Sequence, residues 1–268
     1  MEKRPRPFWI RLVRGCLIVY AAVCVYSCTM ADRLIFMPQR PAYTREAPNL
    51  ISLSTRKDEI LPAFYFPARV GKPTILYSHG NAEDIGGSIE LYQAWRRDGW
   101  GALAYDYPGY GHATGKPGEA SSQRAIEATW HSLTDEHAIP PADIIIVGRS
   151  IGSGPSVWLA DRHKAAALVL ISPFTSSFAV RSPAQWIFPG NRFPNLKRIR
   201  QIDTPLLVIH GESDGIIPVS HGRTLHEASP AKTKRFVGLP EAGHNDLQTS
   251  EITGPIREFI AELRSDPH

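Results

Sequence analysis

Short apolar runs alternate along the chain with longer segments in which apolar residues recur every three or four positions. The short runs are rich in β-branched residues and predict strands, whereas the longer segments predict amphipathic helices. Strands are predicted at residues 60–66, 74–77, 101–106, 144–147, 165–171, 205–209 and 234–238, and helices at 85–98, 119–136, from 150 to about 163, and 251–264. Because strands that alternate with helices form mostly parallel sheets, the pattern predicts an α/β fold. We expect a doubly wound central sheet with helices on both faces.

The apolar run at 144–147 leads into the most specific motif in the chain. Gly148-Arg-Ser-Ile-Gly152 fits G-x-S-x-G, the nucleophile elbow, in which a sharp strand-to-helix turn presents a strained serine. The glycines allow strand and helix to pass closely because they carry no side chain. An ordinary Gly/Ser-rich turn is the alternative, but the strand before the motif and the helix after it supply the required context. Ser150 is therefore the candidate nucleophile.

Two residues further along the chain are candidates for the acid and the base that a serine nucleophile requires. With this elbow, the acid and then the base follow the serine in chain order. Asp214 comes shortly after the strand at 205–209 and is the candidate acid; a turn-capping role is the alternative, and Glu212 is the nearest competitor. His244 lies in a glycine-containing loop between the last strand and the last helix, and is the candidate base.

Acyl transfer also requires N–H donors for the developing oxyanion. One usually follows the nucleophile and another lies in the loop after an earlier strand, so Ile151 and Asn81 are the candidates, with Ala82 as the neighbouring choice. An ordinary glycine-containing strand exit is the alternative for the loop at Asn81. The coincidence of this loop with the elbow and both triad candidates favours an oxyanion hole.

The remaining histidines and motifs predict no metal or cofactor. His79 and His210 are expected to form supporting hydrogen bonds at strand ends. Seven others are expected to be solvent-exposed: His112, His131, His137, His163, His221, His226 and His268. Because no histidine pair has ligand spacing with a carboxylate partner, no metal site is predicted. Neither a P-loop nor the dinucleotide-binding glycine spacing is present, so no cofactor is expected.

Charge and cysteine are concentrated at the start of the chain. Residues 1–14 carry five basic side chains and one acidic one, which leaves 25 of each sign in the remainder. A body with no net charge argues against nucleic-acid binding, which needs a basic face. All three cysteines lie within the first 28 residues, so the body has no disulfide, cysteine nucleophile or cysteine metal site.

Residues 1–31 are predicted to be a targeting or anchoring segment. The uncharged run at 15–31 has 17 residues, or about 25 Å of helix, which is short for a hydrocarbon core of about 30 Å and typical of a secretory signal. Val25-Tyr-Ser-Cys28 resembles a lipoprotein processing box, which makes Cys28 the candidate lipidation site. An uncleaved signal anchor and a palmitoylated cytosolic protein are the alternatives. In the first two cases the basic flank stays in the cytoplasm and the body is exported.

The rest of the chain, residues 32–268, is predicted to be one hydrolase domain. Its 43% apolar content, counted over the whole chain, is enough for one substantial core. Residues 174–202 interrupt the alternation of strands and helices, and their Pro, Trp and Phe content predicts a short lid over the strand ends.

Five motifs resemble, in their order, one subfamily of the α/β-hydrolases. They are His79-Gly-Asn-Ala, Asp106-Tyr-Pro-Gly-Tyr-Gly111, Gly148-Arg-Ser-Ile-Gly152, His210-Gly-Glu-Ser-Asp214 and Ala242-Gly-His-Asn-Asp246. The chain is similar to small-lidded, membrane-associated serine hydrolases that include depalmitoylating thioesterases. The resemblance covers residues 32–265 and implies Ser150 as nucleophile, Asp214 as acid and His244 as base.

The sequence therefore predicts a membrane-tethered serine hydrolase of carboxylic ester or thioester bonds. Its partners would be a small-molecule or acylated substrate and the membrane that its N-terminus enters, and its oligomeric state is left open. A peptidase or amidase that uses the same triad is one alternative. The other is a membrane-anchored binding module that keeps the fold without the chemistry.

Overall fold

A computed structural model describes residues 7–180 and 189–265 of the protein. Eight strands in these ranges form one sheet: β1 (Leu50–Ser54), β2 (Ile60–Phe66), β3 (Thr74–Ser78), β4 (Gly101–Tyr105), β5 (Ile144–Arg149), β6 (Ala167–Ile171), β7 (Leu206–Gly211) and β8 (Lys234–Leu239). Their spatial order is β1-β2-β4-β3-β5-β6-β7-β8. Strand β2 is antiparallel to both of its neighbours, and all other pairs are parallel. The predicted α/β fold is confirmed.

Helices connect the strands and cover both faces of the sheet. The α-helices are α1 (Phe8–Ile35), α2 (Ile89–Arg97), α3 (Glu119–His131), α4 (Ser153–Ala160), α5 (Asn195–Ile199), α6 (Ser220–Ala228) and α7 (Thr249–Ser265). Short 3-10 segments lie at Ile85–Ser88, Pro141–Asp143 and Ser150–Gly152, and a π-helical turn at Ser132–Glu136 continues α3.

The continuous apolar runs of the central strands arise because both faces of the sheet are buried. In β5, Ile144 and Ile146 point into one apolar layer, which contains residues of α3, α4 and α6. Ile145 and Val147 point into the opposite layer, which contains residues of α2 and α7. All four side chains are fully buried. Successive side chains point to opposite faces of the sheet, and because both faces are covered, all four positions are apolar.

Three elements of the structure have weak sequence signals and were not predicted. Strand β1 lies at the edge of the sheet, and only Leu53 is buried in it. Helix α5 has five residues, and α6 buries only Gly222 and Leu225, so neither shows an extended apolar stripe. The predicted helix at 119–136 was one continuous element, whereas the structure changes from α to π geometry after His131.

Helix α1 extends well beyond the uncharged run from which a short signal segment was predicted. It has 28 residues and includes Cys28, so it is about 42 Å long at 1.5 Å per residue. Ala31 is its only buried residue, and apolar side chains such as Leu17 and Val25 are more than half exposed. By length and composition α1 can cross a membrane, although a signal sequence at this position has the same two properties.

The predicted lid at 174–202 falls partly outside the described residues, which omit 181–188. Its described parts lie beside the carboxyl end of β6 and include α5. Phe174, Phe193 and Ile199 contribute to the same apolar layer as α4. The division into residues 1–31 and 32–268, with a lid at about 174–202, stays a prediction.

Candidate active site

The sharp turn predicted at Ser150 is present between β5 and α4. Ser150 has φ of 51°, a backbone conformation that side-chain-bearing residues rarely adopt. A Cβ on Gly148 would lie 2.5 Å from the Gly152 carbonyl oxygen, and one on Gly152 would overlap the carbonyl oxygens of Ser78 and His79. The two glycines therefore allow the turn to close tightly and to pack against the end of β3.

The structure brings the three triad candidates into one hydrogen-bonded chain. His244 Nε2 lies 2.9 Å from Ser150 Oγ, and His244 Nδ1 lies 2.7 Å from Asp214 Oδ2. Because an ionised carboxylate can only accept, Nδ1 donates to Asp214, and neutral Nε2 is left to accept the serine proton. Loops after β5, β7 and β8 supply these residues, so the parallel sheet gathers them at the carboxyl ends of its strands.

Asp214 is held in the ionised form that this arrangement requires. Its side chain is fully buried, which alone would raise its pKa. Interactions with His210, His244 and the backbone N–H of Ile217 outweigh that burial, so the pKa of Asp214 is well below its usual range. The Ile216 and Ile217 N–H groups donate to Asp214 Oδ1 at 2.9 and 2.8 Å. Asp214 therefore stays negatively charged across the neutral range.

His210 supports Asp214 from the buried side. Its Nε2 donates to the Ile217 carbonyl at 2.9 Å and lies 3.4 Å from Asp214 Oδ2. His210 was expected to form supporting hydrogen bonds, and the structure shows that it contacts both Asp214 and the backbone of the loop that follows Asp214. Glu212, the competing acid, instead pairs with Arg223 on the surface, 2.6 Å away.

The loop after β3, residues 79–84, lies against the turn at Ser150. Its Gly80 N–H donates to Glu83 Oε1 at 2.6 Å, and the His79 carbonyl accepts from the Tyr107 hydroxyl at 2.8 Å. Arg149, the residue before the candidate nucleophile, lies 3.7 Å from Glu83. Glu83 and Arg149 thus link the loop of Asn81 to the turn of Ser150 and Ile151. The sequence patterns did not indicate these two residues, since their pairing spans separate strand ends.

His79 packs beside a second buried carboxylate. Its Nδ1 donates to the Gly80 carbonyl at 2.7 Å, and its Nε2 lies 3.6 Å from Asp106 Oδ1. Burial raises the pKa of Asp106, and hydrogen bonds from the Tyr43 hydroxyl at 2.5 Å and the Ile85 N–H at 3.0 Å partly compensate. The hydrogen bonds around Asp106 therefore stabilise the loop at residues 79–84.

The prediction that seven histidines are solvent-exposed was mostly wrong. Only His137 is exposed, and it stacks on Tyr65; His268 lies outside the described residues. The other five are half-buried: His112, His131, His163, His221 and His226. Each has a hydrogen bond or ring contact that sequence position alone does not indicate. Across residues 7–180 and 189–265, no group of three or more His, Cys, Asp or Glu side chains is arranged to hold a metal ion.

A Ser–His–Asp chain at an elbow on an eight-stranded, mostly parallel sheet defines the α/β-hydrolase class. Residues 71–197 match a family model described as serine aminopeptidase, S33. Solved structures with the same fold include the esterase domain of a Rhodothermus marinus protein, with TM-score 0.62 and 19% identity, covering 81% of this chain and 97% of that one. Est1E from Butyrivibrio proteoclasticus has TM-score 0.65 and 17% identity, covering 81% of this chain and 100% of that one.

More specific similarity comes from curated relatives. Human α/β hydrolase domain-containing protein 17B is 32% identical over 89% of this chain and 95% of its own length. The protein aho-3 of Caenorhabditis elegans is 33% identical over 88% of this chain and 81% of its own length. The 17C protein of Xenopus tropicalis is 36% identical, with the match spanning 61% of that protein. This chain belongs to the α/β hydrolase domain-containing protein 17 family and is a hydrolase.

Proposed function

We propose that this protein is a membrane-tethered serine hydrolase that cleaves carboxylic ester or thioester bonds through Ser150, His244 and Asp214. The observation that carries the proposal is the continuous hydrogen-bonded chain from Ser150 Oγ through His244 to Asp214, with distances of 2.9 and 2.7 Å. Such a chain turns a weakly nucleophilic hydroxyl into one that can attack an acyl carbon.

In the proposed reaction, Ser150 Oγ attacks the acyl carbon while His244 Nε2 takes its proton. Asp214 stabilises the imidazolium that forms, and the backbone N–H groups of Ile151 and Asn81 donate to the oxyanion. His244 then returns the proton to the leaving alcohol or thiol, which leaves an acyl-enzyme on Ser150. A water molecule, deprotonated by His244, releases the carboxylic acid and regenerates Ser150. No cofactor takes part in either step.

A second candidate activity is hydrolysis of peptide or amide bonds with the same residues. The description of the matching family model as a serine aminopeptidase supports it. The triad accepts either leaving group in principle, so the residues that contact the leaving group decide between the two. A non-catalytic binding module is the third candidate, and the complete Ser–His–Asp chain argues against it.

A panel of p-nitrophenyl esters with acyl chains of increasing length tests the hydrolase proposal. We expect hydrolysis of these esters and of matching acyl thioesters, and much slower cleavage of p-nitroanilides with the same acyl groups. The control is Ser150→Ala at the same concentration, which corrects for spontaneous hydrolysis. Faster cleavage of aminoacyl p-nitroanilides would instead support the aminopeptidase candidate, and cleavage of none of these compounds would support the binding module.

Membrane attachment through residues 1–31 is the second part of the proposal. The body has no net charge, so its overall charge provides no attraction to an anionic surface. Helix α1 supports attachment by its exposed apolar side chains, and Cys28 is exposed on it. Because the basic residues at 1–14 precede the uncharged run at 15–31, we place this basic flank in the cytoplasm and the body on the opposite side of the membrane.

Replacing Cys28 with alanine separates attachment by lipid from attachment by α1. If Cys28 is processed and acylated, the wild type should begin at Cys28 and carry acyl mass, whereas Cys28→Ala should keep its full N-terminus. Intact-mass spectrometry of both membrane-extracted proteins measures this difference. Cys24→Ala, one helical turn earlier, is the matched control and should be processed normally. A wild type of full length whose Cys28→Ala variant stays in the membrane fraction would contradict lipidation and make α1 itself the anchor.

A further inference from the structure

The end of α1 is hydrogen-bonded to the loop that bears a candidate oxyanion donor. We call residues 28–37, where α1 meets the body, the junction. Asn81 Nδ2 donates to the Ile35 carbonyl at 2.7 Å, and Asn81 Oδ1 accepts from the Met37 N–H at 3.0 Å. The Tyr110 hydroxyl donates to Asn81 Oδ1 at 2.7 Å and lies 2.9 Å from the Met37 nitrogen. Both polar atoms of the Asn81 side chain are therefore bonded to the junction or to Tyr110.

Apolar packing ties the same junction to the helix that follows Ser150. Phe36 is buried against Tyr110 and Phe193, with ring centroids 6.4 and 6.0 Å apart. Phe193 in turn lies over Gly154 of α4, where a Cβ would overlap its ring. The junction thus contacts the loop of Asn81 directly, and it reaches Gly154, four residues after Ser150, through Phe193.

A charged pair connects the other end of the junction to a described part of the predicted lid. Arg192 Nε donates to Asp32 Oδ1 at 2.8 Å, and its Nη2 donates to the Cys28 carbonyl at 3.3 Å. Both side chains are partly shielded from water. The junction begins at Cys28, so the residues that make these contacts are present whether or not the chain is processed there.

We infer that Asn81 is a positioning residue whose side chain holds the oxyanion loop in place against the docked end of α1. The inference rests on the proposed function, because the loop needs this placement only if acyl transfer occurs at Ser150. An oxyanion donor has to lie about 2.7–3.1 Å from the oxyanion, and a 1 Å error can cost about 100-fold in rate. The proposed donor is the backbone N–H of Asn81, so its side-chain bonds act directly on the donor.

Substituting Met37 with proline tests the coupling without touching any side chain in the site. Proline removes the Met37 N–H that donates to Asn81 and Tyr110. The preceding residue, Phe36, has φ −86° and ψ 133°, the extended conformation that a following proline favours. Met37 is 53% exposed, so Met37→Ala is a matched control that loses the side chain and keeps the N–H.

The measurement is a p-nitrophenyl ester burst followed by steady-state kinetics on full-length protein in detergent micelles. The burst counts competent sites, so kcat can be given per site. For Met37→Pro we expect kcat per site to fall at least about tenfold relative to Met37→Ala, with KM changed less than twofold. Asn81→Ala, which keeps its own backbone N–H, should show the same loss in kcat.

A purely structural role for Asn81 would lower the number of titrated sites and leave kcat per site unchanged, which would overturn the inference. If Met37→Pro does not fold, Asn81→Ala decides alone by the same criterion. A wild type with neither a burst nor turnover would refute the proposed function itself. An active wild type whose kcat per site is unchanged by both Met37→Pro and Asn81→Ala would refute only the positioning role of Asn81.

Discussion

Replacing Ser150 with alanine is expected to abolish covalent labelling by a fluorophosphonate probe and to reduce ester hydrolysis by about 10⁶-fold. Ser150 Oγ is the only serine oxygen within hydrogen-bond distance of His244 Nε2 among the described residues. Without that oxygen no acyl-enzyme can form, and only the oxyanion donors and substrate binding remain. Mass spectrometry of the labelled wild type should place the phosphonate on Ser150.

Ser153→Ala is the matched control for the loss of a serine in this region. Ser153 is fully buried three residues later, at the start of α4, and its hydroxyl has no hydrogen-bond partner within residues 7–180 and 189–265. We expect this variant to label at the rate of the wild type. Persistent labelling of Ser150→Ala would transfer the nucleophile to another serine and refute the assignment.

The second large loss of activity is expected from substitutions of Asp214 and His244. Asp214→Asn should lower kcat by about 10⁴-fold, because an amide no longer holds the imidazole in the tautomer that accepts the serine proton. His244→Ala should lower kcat by about 10⁶-fold, because the base itself is lost. The double variant should be no slower than His244→Ala, since Asp214 acts only through the imidazole. A double variant that multiplied the two losses would show that the residues act independently.

The pH dependence provides a second measurement of the same pair. The pKa of Asp214 is held well below its usual range, so this carboxylate stays charged wherever the protein is assayed near neutrality. A neutral imidazole is the form that accepts the serine proton, so wild-type kcat/KM should rise with pH to a plateau. The residual activity of His244→Ala, measured with the same ester, should not show this rise of kcat/KM with pH.

Much of this site could be predicted because its key residues have local signals. The elbow is a strand, two glycines and a helix between Ile144 and Ala160, and the structure confirms the strained backbone predicted at Ser150, whose φ is 51°. Asp214 and His244 follow strands β7 and β8 directly, so parallel topology alone brings them to the edge where Ser150 lies. Fold class and chain order were therefore enough to select these three residues.

The residues that hold the site in place could not be predicted in the same way. Glu83, Arg149 and Tyr110 act through contacts between loops that are distant in sequence. Arg149 and Tyr110 lie within recognisable motifs, but the motifs do not indicate which residues they contact. The length of α1 was also underestimated, since its apolar character continues past charged residues at both ends. Weakly apolar elements such as β1 and α6 are stabilised by their neighbours rather than by their own pattern.

The order in which a ribosome delivers these residues has a consequence for the newly made protein. Ser150 and His244 are 94 positions apart, and His244, the proposed base, follows β8. At synthesis rates of about 5–20 residues per second, roughly 5–20 s separate the two residues. During that interval the elbow can exist only without its base. On the proposed mechanism, nascent chains are therefore expected to have no esterase activity until β8 has paired with β7.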